Sequence, residues 1–238
     1  MIIPANTKLL ITGAPRSGTY FTTRLLFNLG LDIKHEEVDT NGTVSSLHLL
    51  TTSGFTKIAH QIRDPLKSIS SLHKIDWLSK ELWLESKHNE NFANHVDVNK
   101  KSNKHSDIRL GEVAWLYFLD KIKDRNLTRK CMKAYISWNT IAMKKSEFTY
   151  KLEDVVSSKE HFDSWLVSLG LVPEETDYGK TLEFLDYTDV TNKTIGNRGN
   201  KMQIGGLRVA PDLSWEILES LDSELSKEIK TLTSGFYS

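Results

Sequence analysis

Cysteine is almost absent from this chain: Cys131 stands alone among 238 residues, which excludes an internal disulfide and fits a reducing compartment. Its natural role is that of a small apolar filler. An excess of charge is missing too, because 31 Lys and Arg balance 31 Asp and Glu. Such a chain has no surplus with which to hold nucleic acid or an anionic membrane nonspecifically, so any anion site must be local. No run approaches the roughly 18 apolar residues of a spanning helix, and the N-terminus carries neither a basic leader nor a long apolar core. The expectation is a cytoplasmic protein with no membrane partner. No internal repeat is visible, and His35, His48, His60 and His73 lack partners at metal-ligand spacing. What is present is 39% apolar residues, which suits one α/β domain over 1–238 that buries roughly three-quarters of its unfolded surface.

The most informative stretch is Gly13-Ala14-Pro15-Arg16-Ser17-Gly18-Thr19, which follows the apolar run Leu9-Leu10-Ile11, part of a buried parallel strand expected over 8–12. After it, Phe21, Leu25, Leu26 and Leu29 recur at helical spacing, with Gly30 as a C-terminal cap. A strand, a glycine-bounded loop and a helix in that order make a phosphate cradle, because backbone N–H groups and the positive helix end point at one spot. A nucleoside-triphosphate loop would have Lys and then Ser or Thr after the second Gly. Thr19 and Tyr20 stand there instead. The basic group is Arg16, inside the loop, whose planar fork suits a terminal oxyanion.

A second strand is expected over 56–62, ending at Arg63-Asp64-Pro65. Asp64 is placed to cap a helix and Pro65 to begin it. Ser71 follows Arg63 by two helical turns, so the guanidinium and the hydroxyl can converge on a phosphate above the sheet edge. Between these stretches, His35-Glu36-Glu37 is expected on a loop, Asp39-Thr40-Asn41-Gly42 in a turn, and 44–50 in a short helix.

The later chain is expected to hold helices over 108–123 and 127–144, the second carrying Tyr135, with Trp115 and Trp138 in the core. A third strand follows over 148–152, then Glu153-Asp154 and a helix over 158–169. A helix from Pro173 to about 185 and amphipathic helices over 215–221 and 225–232 complete the pattern. Residues 76–107 are polar and basic after Trp77 and Trp83, which reads as a solvated loop or as a lid over an acceptor pocket. Residues 189–211 contain Gly196, Gly199, Gly205 and Gly206 and lack periodicity, as a covering loop would.

Pro15-Arg16-Ser17-Gly18-Thr19 resembles the 5′-phosphosulfate loop of sulfotransferases that use 3′-phosphoadenosine 5′-phosphosulfate (PAPS). In that family Pro-(Lys/Arg)-Ser-Gly-Thr precedes a second Thr and an aromatic residue; Phe21 matches the aromatic and Tyr20 departs from the Thr. Arg63-Asp64-Pro65 with Ser71 resembles the family's 3′-phosphate site, strand 148–152 with Glu153-Asp154 is similar to its segment near the cofactor, and Arg198-Gly199 resembles its late basic loop. Lys193, Lys201 and Arg208 compete with Arg198 for that place.

The resemblance implies a three-layer P-loop-like α/β fold with a central parallel sheet. It implies binding of PAPS by Ala14, Pro15, Arg16, Ser17, Gly18, Thr19, Tyr20, Arg63, Ser71, Arg198 and Gly199, without a metal. The implied reaction moves a sulfuryl group onto a hydroxyl or amine of a small-molecule or glycan acceptor, leaving adenosine 3′,5′-bisphosphate. Arg16 would neutralise the leaving oxygen. The base, a His, Glu or Asp in this family, is expected in His35-Glu36-Glu37, with Glu36 first and His35 second. Failing those, His88, Glu90 and His95 are the candidates, and Trp77, Trp83, His88 and Phe92 are candidates to line the acceptor site. A P-loop kinase-like nucleotide enzyme and an inactive anion-binding module are the alternatives.

Overall fold

The apolar run after the N-terminus forms β1 (Leu9–Gly13), every residue of which is buried. The computed structural model describes residues 1–46, 53–73, 122–175, 177–181, 183 and 211–237. In chain order the named elements after β1 are α1 (Thr19–Asn28), β2 (Lys34–His35), β3 (Gly42–Ser45), β4 (Lys57–Ile62) and α2 (Pro65–Leu72). They continue as α3 (Leu127–Lys145), β5 (Phe148–Lys151), α4 (Leu152–Val155), α5 (Lys159–Ser168), α6 (Trp215–Leu221) and α7 (Ser223–Thr233). Residues 177–181 are helical as well.

The strands make one five-stranded sheet in the order β2-β3-β1-β4-β5, and every described pairing is parallel. A parallel sheet needs cover on both faces. Leu9, Ile11, Val44 and Ala59 pack with Leu25 and Leu26 of α1 and with Phe162, Trp165 and Leu166 of α5. On the other face Ile62 packs with Ile69 and Leu72 of α2, Tyr135 and Trp138 of α3, Leu218 of α6 and Ile229 of α7. The result is the expected three-layer α/β architecture. Among the described residues no helix is long and apolar enough to cross a membrane.

The strands expected over 8–12, 56–62 and 148–152 are present as β1, β4 and β5, except that Leu152 opens α4 instead of closing the strand. Two further strands correct the expectation. His35 ends β2 instead of lying in a loop, and Val44 lies in β3 instead of opening a short helix. The reason is context: β2 is too short to show alternation, and β3 has one large apolar residue, Val44, and is buried by the strands on either side. Parallel neighbours usually need a long crossover, yet residues 36–41 suffice here because two residues of strand require a return of only about 7 Å. Glu36 reverses the chain at φ 63, and Asn41 closes the return by exchanging hydrogen bonds of 2.9 Å with the Asp32 backbone.

The expected segments 76–107 and 108–121, and 189–210 with Arg198 and Gly199, lie outside the described residues, as do 47–50 of the expected short helix.

His60 is fully buried on the α3 face, where one ring nitrogen, Nε2, meets Asn139 Oδ1 at 2.9 Å and the other, Nδ1, meets Thr149 Oγ1 at 3.2 Å. Because the Asn139 amide nitrogen already donates to the Tyr135 carbonyl at 2.9 Å, its oxygen accepts from Nε2–H, which leaves Nδ1 to accept from Thr149. Burial lowers the His60 pKa to about 4, outweighing the Asn139 hydrogen bond. With a depressed folded pKa, the unfolded chain binds the extra proton first, so stability is lost as pH falls from about 6.5 towards 4. The expected loss is about 3 kcal/mol, since each tenfold change in proton affinity is worth about 1.4 kcal/mol. Urea unfolding of wild type and His60→Gln between pH 7.5 and 4 checks this: the wild-type slope should be steeper, and equal slopes would remove His60 as the cause.

Candidate functional site

The loop that joins β1 to α1 lies at the carboxyl end of the sheet, where neighbouring connections part. From β1 the chain leaves through α1, on one face; from the adjacent β4 it leaves through α2, on the other. Such a switch point opens a crevice at the strand ends. Arg16 follows β1 and Arg63 follows β4, so the fold brings the two arginines to one place.

Their contacts are direct. Arg16 Nε donates to Ser71 Oγ at 2.9 Å, and Arg63 Nη1 donates to the Arg16 carbonyl at 3.0 Å. Arg16 as a residue is exposed, while its guanidinium is partly desolvated. Desolvation first, and then the Arg63 charge, lower its pKa from the ordinary value. Among the described residues neither guanidinium has an ion pair with a carboxylate. Two neighbouring cations without a counterion form a place for an anion.

The loop backbone is held in uncommon conformations. Arg16 has φ 70 and Gly18, which caps α1, has φ 92. A left-handed non-glycine residue costs on the order of 1 kcal/mol and persists where surrounding contacts hold it. A Cβ on Gly18 would also lie 2.4 Å from Leu152 Cδ2. Ser17 is buried, and its hydroxyl has no partner among the described residues. The first N–H groups of α1 have no acceptor within the helix, so they and the Ser17 hydroxyl lie at the same turn. Ala14 and Pro15 are buried in the loop wall.

The Arg63 turn is braced from two sides. Tyr135 of α3 donates its hydroxyl to the Arg63 carbonyl at 2.9 Å, and burial first, then the Asp64 and Glu153 charges, raise the phenol's pKa. Glu153 accepts from the Asp64 backbone N–H at 3.1 Å and from the Tyr237 hydroxyl at 2.6 Å. Asp64 caps α2 by accepting from Lys67 N–H at 2.9 Å. Ser70, beside Ser71, donates to the Pro211 carbonyl at 2.6 Å, which ties the end of the 189–211 segment to α2.

His35 and Glu36 sit on the other side of the loop with different duties. His35 Nε2 lies 3.0 Å from Thr19 Oγ1, at the start of α1, and 3.6 Å from Glu36 Oε1. Its ring meets Tyr20 edge-on at 5.7 Å, and Tyr20 is 61% exposed. Both oxygens of Glu36 are engaged: one accepts from the Ser45 hydroxyl, the other from Ser46 N–H at 2.9 Å and Ser46 Oγ at 2.7 Å. Glu37 is exposed. Thus Arg16, Ser17, Gly18, Thr19, Arg63, Ser71 and His35 come together, whereas the Glu36 carboxylate is turned to the end of β3.

Sequence reasoning passed over Gln61, Thr22 and Tyr150. Gln61 is fully buried beneath the loop, and as one of three polar residues in Lys57–Ile62, with Lys57 and His60, it carries no signal of its own. Among the described residues no group of three or more His, Cys, Asp or Glu is placed to hold a metal ion. No protein-family model matches the chain, and neither the curated proteins nor the solved structures yield a match.

Proposed function

We propose that this protein is a sulfotransferase that uses PAPS to sulfate a hydroxyl or amine. The observation that carries the reading is the pair of arginines at the β1–β4 switch point, uncompensated among the described residues, with Ser71 in contact with one of them. The Ser17 hydroxyl, without a partner among the described residues, and the α1 amides suit the 5′ end of the nucleotide, and Arg63 with Ser71 suits a 3′-phosphate. When bound, PAPS supplies a sulfuryl group whose bond to a phosphate oxygen breaks as its bond to the acceptor oxygen or nitrogen forms.

The chain's own residues have three tasks in that event. Arg16 neutralises charge beside the loop, which is worth most in a partly desolvated position. The loop amides and Thr19 fix the position of the 5′ end. His35 takes the acceptor's proton: it borders the loop through Thr19, whereas the Glu36 oxygens are filled by serine donors. Glu36 therefore positions His35 and Ser46, and Tyr20 offers an exposed aromatic ring beside the base.

Adenosine 3′,5′-bisphosphate is expected to stabilise the fold. At about one hundred times its dissociation constant the gain is roughly 2.7 kcal/mol, or about 5–10 °C in Tm at this chain length. The shift should persist in EDTA and be smaller for AMP. Arg63→Ala should erase the difference between the two ligands in differential scanning fluorimetry. Equal shifts in the wild type would sink the 3′-phosphate assignment, and Mg²⁺-dependent turnover of ATP would favour a kinase-like enzyme instead.

A further inference from the structure

We propose that Gln61 is a positioning residue that sets the direction of the Gly18 N–H, by locking the peptide plane between Ser17 and Gly18. The inference rests on the loop being an anion site, and it goes beyond that reading in assigning a role to a buried side chain that touches no ligand.

Gln61 lies in β4, paired with Gly13 of β1 on one side and with Tyr150 of β5 on the other. Its alternation puts it on the α1 face with Ala59, under the loop. Its amide oxygen accepts from the hydroxyls of Thr22, in α1, and Tyr150, the latter at 2.8 Å. Both donors fix which end of the amide is oxygen, so the nitrogen must face the loop. There Nε2 donates to the Ser17 carbonyl at 2.7 Å.

The consequence follows from peptide geometry. A trans peptide is planar, with its C=O and N–H pointing in opposite directions. Drawing the Ser17 carbonyl inward, towards buried Gln61, turns the Gly18 N–H outward, towards the mouth of the loop. The next plane back is fixed separately, since the Arg16 carbonyl accepts from Arg63 while Ser17 N–H donates to the Ala14 carbonyl at 2.9 Å. At Gly18, whose φ is 92, a released plane has little side-chain hindrance to turning over. Thr22 and Tyr150 thus reach the anion through one amide.

The test uses the full chain with two probes, adenosine 3′,5′-bisphosphate and AMP, by calorimetric titration. Gln61→Met keeps the volume and removes the donor. It should weaken both probes by about 10- to 100-fold, the worth of a hydrogen bond to a charged group, and by the same factor, because the 5′ end is common to both. In the wild type the Gly18 amide proton should move downfield on adding either probe, and in Gln61→Met it should not. Leu166→Ala, a destabilising change in α5, should lower Tm without weakening either probe while folded. If Gln61→Met does not fold, Tyr150→Phe serves: it frees one constraint on the amide, and a partial loss of affinity is expected. Wild-type affinity in the variant that folds, or an unmoved Gly18 amide in the wild type, would overturn the proposal. Equal wild-type binding of both probes would remove the 3′-phosphate site while AMP still decides the role of Gln61. No binding of either would remove both.

Discussion

Replacing His35 with Gln is expected to lower turnover by about 10²–10⁴, the usual contribution of a positioned general base, while adenosine 3′,5′-bisphosphate binds nearly as before. The imidazole is the titratable group that the fold sets against the loop, with Nε2 at 3.0 Å from Thr19 Oγ1. Gln can keep a polar contact with that hydroxyl but cannot carry a proton away. The effect should therefore fall on kcat, with the affinity for the nucleotide product as the internal control. Transfer of labelled sulfate from PAPS, to an acceptor first found with the wild type, reads it. Glu36→Gln should lose less, because its carboxylate acts through Ser45, Ser46 and the neighbouring ring. Full turnover in His35→Gln combined with a large loss in Glu36→Gln would reverse the two roles.

Gly42→Ala should cost about 4 kcal/mol or more, a size reserved for a few mechanisms of damage. Gly42 opens β3 beside Leu9 of β1. Its φ is +114, and an added Cβ would stand 1.9 Å from the Leu9 carbonyl oxygen and 2.6 Å from the Leu9 nitrogen. Both are backbone atoms in the middle of the sheet, and neither can swing aside as a flexible side chain can. Gly30→Ala is the matched control: its φ is +98, but nothing lies within 4 Å of the added methyl. Denaturant unfolding should show the second change costing only the backbone strain, on the order of 1–3 kcal/mol, and similar losses at the two sites would refute the clash. Because β3 carries Ser45 to Glu36, a displaced β3 should also loosen the segment that presents His35.

Strands with strong local signals were legible. β1 announces itself by an apolar run that stops at a glycine and β4 by a rough alternation that stops at Arg63-Asp64-Pro65, and the helices they feed have regular apolar spacing. β2 and β3 were not legible, since a two-residue strand has no period and Gly42-Thr43-Val44-Ser45 is divided between an expected turn ending at Gly42 and an expected short helix opening at Val44. In the site, the pieces on loops could be read from residue type and position, as with Arg16 and Arg63. What could not be read was orientation. That Glu36 turns to the serines of β3 while His35 faces Thr19 depends on a left-handed residue at Glu36 and on a register set by a strand the pattern did not show. Gln61 was hidden for another reason: as one of three polar residues in β4, it signals burial with a partner only once the helix and strand beside it are known.

The closeness of Arg16 and Arg63 also makes the site sensitive to the ions around it. Like charges this near repel at a cost that dissolved salt screens over about 10 Å at 0.1 M ionic strength. Raising the salt should therefore ease the empty site and weaken nucleotide binding together, so that apparent affinity falls steeply with ionic strength. Divalent oxyanions should do more than chloride at equal ionic strength, because sulfate or phosphate can sit between the guanidinium forks of Arg16 and Arg63 and accept from both. A protein kept in phosphate buffer would then look more heat-stable and less avid for nucleotide than the same protein kept in a chloride buffer.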